Sequence, residues 1–82
     1  MSKDVEGRIE MARTFRRNVL MRMLELDMTR KELVSKTGLG KSSVEKYLAA
    51  RVQPTAYAVA RIAKALDCSA DRLLGLEGRC RH

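Results

Sequence analysis

The sequence predicts an all-α domain of five helices. Three observations carry that prediction. Apolar residues make up 45% of the 82-residue chain, yet Phe15, Tyr47 and Tyr57 are its only aromatics, so a core must come from Leu, Met, Ala, Val and Ile. One proline and five glycines leave few interruptions. The apolar residues also recur at helical spacing, in runs bounded by capping residues.

The first helix follows the stripe Val5, Ile9, Ala12, Phe15, Val19, Met23, broadened by Leu20, Leu24 and Leu26. Gly7 weakens its start by up to ~1 kcal/mol relative to alanine. The helix is therefore assigned to 11–26, with residues 1–10 as an N-terminal extension, helical or frayed. Thr29-Arg-Lys-Glu32 has the form of a capping box and opens a short second helix, with Leu33, Val34 and Thr37 inward. Gly38 is the left-handed stop. Leu39 is apolar within the turn, and Gly40 stands at the next N-cap, where it offers no hydroxyl. The third helix runs over 41–50. Val44, Tyr47, Leu48 and Arg51 share one side of it; Lys41, Ser42, Glu45, Lys46 and Ala49 share the other. After Gln53-Pro54, Thr55 caps a fourth helix over 56–66, with Tyr57, Val59, Ile62, Ala63 and Leu66 available to the core. Ser69 caps a fifth over 70–74, with Asp71 near its positive end. The domain thus spans 11–75, and 76–82 is a flexible tail.

Lys and Arg number 17 against 10 acidic residues, a net charge of +7. For so small a domain, this points to a polyanionic partner such as nucleic acid or an anionic membrane face. No apolar run approaches the ~18 residues of a membrane span. Cys68, Cys80 and His82 do not make the four-ligand spacing of a zinc site, and two cysteines without a signal peptide fit a reducing cytoplasm. No Ser, Cys, His or carboxylate constellation suggests catalysis. The stretch S-K-T-G-L-G-K-S at Ser35–Ser42 comes one glycine short of a nucleotide-binding loop. Such a loop needs a preceding strand, and here a capped helix precedes it. No enzyme activity, cofactor, metal or small-molecule ligand is expected.

Two short helices flank Gly38-Leu39-Gly40, with more helix on both sides, and that is a helix-turn-helix arrangement at helices two and three. From Phe15 to Leu74 the chain also resembles the lambda-repressor-like DNA-binding domain of the Cro and C1 (XRE) type. The matching residues are Leu33-Val34, Gly38-Leu39, Val44, Pro54, Ile62-Ala63-Lys64-Ala65-Leu66 and Leu73-Leu74. The pattern departs at Leu48-Ala49-Ala50, where the family often carries Glu-Asn-Gly.

The resemblance implies a compact five-helix fold and a role for each exposed position. The third helix enters the major groove of double-stranded DNA, with Lys41, Ser42, Glu45 and Lys46 facing base edges. Thr29, Arg30, Lys31, Ser43 and Arg51 contact the backbone, and Arg16 or Arg17 is a further phosphate candidate. One such motif buries too little surface for tight specific binding, so a homodimer on a palindromic operator is expected, with its contact around Leu73, Leu74 and Leu76 or in the N-terminal extension. The function implied is a cytoplasmic transcriptional regulator, a Cro/C1-like repressor of phage or plasmid type. The competing expectation is a protein-interaction or antitoxin-type module on the same fold. A further alternative, confined to Glu45, pairs it with Lys41 across one turn instead of with DNA.

Overall fold

Five helices follow one another in the computed structural model, which describes residues 2–76, the side chains from Gly7 onward. They are α1 (Ser2–Leu26), α2 (Arg30–Thr37), α3 (Lys41–Leu48), α4 (Ala56–Ala65) and α5 (Ala70–Leu74). No strand occurs among the described residues. The Val5 side chain, Cys80, His82 and residues 77–82 of the expected tail lie outside the described residues.

The expected caps form. Thr29 accepts from the Glu32 amide, and the Glu32 carboxylate accepts from the Thr29 amide, completing the box. Thr55 and Ser69 accept from Ala58 N and Arg72 N. Gly38 ends α2 at φ 70°. The expected boundaries of α3 and α4 shift inward by one or two residues. Three helices close on left-handed residues that are not glycine: α1 on Asp27, α3 on Ala50 and α4 on Asp67. In each case the next amide reaches back to a carbonyl of the last turn: Met28 to Met23, Arg51 to Lys46, Cys68 to Ala63.

Phe15, Val19 and Met23 of α1 meet Leu33, Val44, Leu48, Val59, Ile62, Leu66 and Leu73 in one core. Phe15 and Tyr47 pack edge to face with centroids 6.3 Å apart. α1 packs on α3 and α5, while α4 bridges α2 and α5. This arrangement fixes α3 from behind through Val44 and Leu48 and leaves its other face to solvent.

Not every expected core residue goes inside. Leu24 is 82% exposed, because nine residues after Phe15 the helix has turned to the opposite side. Ile9 and Leu26 are also exposed. Tyr57 is 65% exposed, its ring lying under the Arg61 guanidinium, 5.8 Å from centroid to Cζ. Ala58, which the pattern did not single out, takes the inward position of that turn.

Candidate nucleic-acid interface

The turn between α2 and α3 is built around a buried hydroxyl. Thr37 is wholly enclosed, and its Oγ1 donates to Val34 O at 3.2 Å and accepts from Leu39 N at 3.3 Å. Leu39 packs against the core at the same point. Gly40 at φ 92° then starts α3 without a side-chain cap. The angle of the two helices is thereby set by Thr37, Leu39 and two glycines in the left half of backbone space.

Lys41, Ser42, Glu45 and Lys46 all lie exposed on the outer face of α3, and Ser43 is half-buried at its flank. No ion pair joins Glu45 to Lys41 among the described residues. These side chains remain open to a partner. Arg30 and Lys31 are exposed in the first turn of α2, and with Val34, Ser35 and Lys41 they line a groove between α2 and α3. Thr29 is exposed too, but its hydroxyl and amide are engaged with Glu32, at 3.1 Å and 2.8 Å. That leaves the following amides, of Arg30 and Lys31, as the free donors of this helix end. Arg51 is exposed in the loop after α3.

Of the residues expected at a subunit contact, Leu73 is 0% exposed and belongs to the core of its own chain. Its enclosure by α1 and α4 removes it from any partner. Leu74 and Leu76 keep part of their surface.

A second class of polar contact was invisible in the sequence. Each short helix has its C-terminal carbonyls met by a side chain from elsewhere. Arg61 Nε donates to Thr37 O at the end of α2, at 2.9 Å. Arg16 Nε donates to Leu48 O at the end of α3, at 2.8 Å. Arg22 donates to Leu66 O and Asp67 O after α4, at 2.9 and 3.1 Å. Asn18 Nδ2 donates to Arg72 O and Leu73 O of α5, both at 3.1 Å. Three of these donors are cations at the negative ends of helices. Part of the positive charge is therefore structural. Arg72 and Arg22 also bond Glu25, at 2.7 and 3.1 Å. The hydrogen bonds from Arg22 and then Arg72 hold the Glu25 carboxyl below the usual range.

No group of three or more His, Cys, Asp or Glu side chains is placed to hold a metal ion among the described residues. None of the described helices is long and apolar enough to cross a membrane. The near-nucleotide loop has its first six residues at the end of α2 or in the turn, with no strand before it among the described residues.

Comparison with curated proteins and with solved structures gave no match. The family of Cro/C1-type HTH DNA-binding domains matches residues 18–78, which is more than half of the chain and takes in the last third of α1 and every helix after it. With its helix-turn-helix at α2 and α3, the chain belongs to the Cro/C1-type helix-turn-helix DNA-binding family.

Proposed function

We propose that this chain is a sequence-specific transcriptional regulator, a Cro/C1-like repressor of phage or plasmid type, that binds a palindromic operator as a homodimer. The observation that carries the reading is the outer face of α3. Lys41, Ser42, Glu45 and Lys46 are exposed there, while Val44 and Leu48 lock the helix from behind. In the major groove, Lys41 or Lys46 donates to guanine O6 and N7, and Glu45 accepts from cytosine N4. Arg30, Lys31 and Arg51, with the first free amides of α2, hold phosphates, and Ser43 reaches one from the flank. Thr29 acts by orienting that helix end. Leu74 and Leu76, or the start of α1, supply the contact between subunits.

The test is selection of bound sites from random duplex DNA. A recovered consensus with two-fold symmetry and half-sites about one helical turn apart supports the reading. Recovery of no preferred sequence would sink it. Placing that site over a promoter then separates repression from activation.

A second reading, a protein-interaction or antitoxin-type module, draws on Met21 and Leu24, both exposed on the outer side of α1. It predicts no binding to duplex DNA at ~50 mM salt, a condition in which the electrostatic contribution of even a few phosphate contacts is large.

A further inference from the structure

The family match begins at Asn18, but α1 begins at Ser2. Residues 2–17 of α1 thus lie outside the matched domain. They are nevertheless tied to it at the C-terminal end of α3. Arg16 Nε donates to Leu48 O at 2.8 Å, and Gln53 Nε2, in the loop after α3, donates to Arg8 O. These two bonds lay the added helix along the end of α3.

One shallow groove results. Arg13, Arg16 and Arg17 of α1 line it together with Arg30 of α2, and Ala49 and Ala50 stand on its α3 side. Four guanidinium groups thus share a groove whose acidic residues are Glu10 and Glu45. No ion pair neutralises Arg13, Arg17 or Arg30 among the described residues. Arg16 is fixed through its Nε, so its terminal nitrogens are held in place at the groove. The two alanines add little bulk, so an extended chain can come close. Arg30 and Glu45 also line the groove between α2 and α3, which makes the two grooves continuous past α3.

We propose that the arginine groove is a phosphate track, in which the added part of α1 holds the sugar–phosphate backbone of the same duplex whose bases α3 reads. Planar guanidinium forks match phosphate oxygens two at a time, and the backbone is the polyanion already lying beside Arg30 in the regulator reading on which this proposal rests. Arg13 and Arg17 are then affinity residues that carry no sequence preference.

The experiment uses the full chain and the duplex recovered by site selection. Arg13→Ala/Arg17→Ala is compared with the parent and with Lys36→Ala/Lys64→Ala, which removes the same charge from a separate groove that Lys36 and Lys64 share with Arg61. Thermal unfolding checks that all three are folded. Loss of two phosphate contacts from each subunit of the dimer flattens the log–log salt dependence by about 3.6 and weakens binding ~10-fold or more at moderate salt. The selected consensus stays unchanged. Arg13→Lys/Arg17→Lys restores most of the slope. Equal losses in the two alanine pairs would mean that net charge alone acts, and an unchanged slope would leave the groove to an acidic protein; either outcome overturns the track. A parent that binds no duplex at all removes the regulator reading and the track with it. A parent that binds while the arginine pair behaves like the lysine pair removes the track alone.

Discussion

Ala50 is the residue least suited to its backbone. It sits at φ 56°, where glycine and, less freely, asparagine and aspartate are at ease. Asp27 and Asp67 occupy the same position after α1 and α4, and their short polar side chains tolerate it. Alanine has no such compensation. Ala50→Gly is expected to stabilise the fold by up to ~1 kcal/mol, the relief of strain exceeding the extra entropy of an unfolded glycine. Thermal unfolding checks this as a rise of several degrees in Tm. Glu25 gives a pH signature. Its folded carboxyl titrates below its unfolded value, so its contribution is complete above about pH 5 and fades as pH falls through the lowered folded value. Glu25→Gln should therefore be less stable than the parent near neutrality and converge with it in acid. Urea unfolding across that range tests it, and a constant gap would contradict it.

Helix ends divide what the sequence reveals from what it conceals. N-caps are local: Thr29, Thr55 and Ser69 bond amides three residues on, so each could be read from a few letters. The stops at C-termini are half local. Gly38 announces itself, but the carbonyls it leaves are met by Arg61, and Arg16, Arg22 and Asn18 serve helices 32 to 55 residues away. No periodicity encodes such pairings, and in sequence these arginines resemble a solvated or phosphate-binding face. Leu24 and Tyr57 were misread for a different reason: an apolar stripe wide enough to predict a helix is wider than the face its neighbours cover, α3 and α5 on α1 for Leu24, α2 and α5 on α4 for Tyr57. The α3 face was legible because Val44 and Leu48 fix which side is inward. At this scale Arg22→Ala removes two carbonyl bonds and one contact to Glu25, and should destabilise by ~1–2 kcal/mol. A denaturant midpoint equal to that of the parent would show that water replaces the guanidinium without loss.

For the molecule as a whole, charge is distributed by task. Arg16, Arg22 and Arg61 hold helices, whereas Lys41, Lys46, Arg30 and Lys31 face outward around the α2–α3 turn. Binding should follow position rather than net charge. Lys41→Ala is expected to lower affinity for the selected operator and to relax its base preference. Lys64→Ala, far from that face, should do neither beyond a small long-range effect. Fluorescence titrations at several salt concentrations compare them, and equal behaviour of the two variants would contradict the assignment of α3. A two-fold operator further requires that sedimentation equilibrium on the selected duplex give two chains per site, with Leu76→Asp shifting the mixture towards one.

The borrowed helix ends have a consequence for how the chain folds and how it is destroyed. α2, α3, α4 and α5 have between 5 and 10 residues each, too few to persist alone in water. Each also depends on a donor that is positioned only when another helix is already in place. No segment can therefore open and leave the rest intact at low cost. Amide exchange should show the four helices sharing one protection level close to that of global unfolding, with the first turns of α1 exchanging faster. A protease that needs an unstructured stretch would find its longest foothold in 18–76 at the largely exposed segment 49–55, and elsewhere cleavage would wait until the whole unit gives way, so that the lifetime of a chain uncut there would follow the overall unfolding equilibrium.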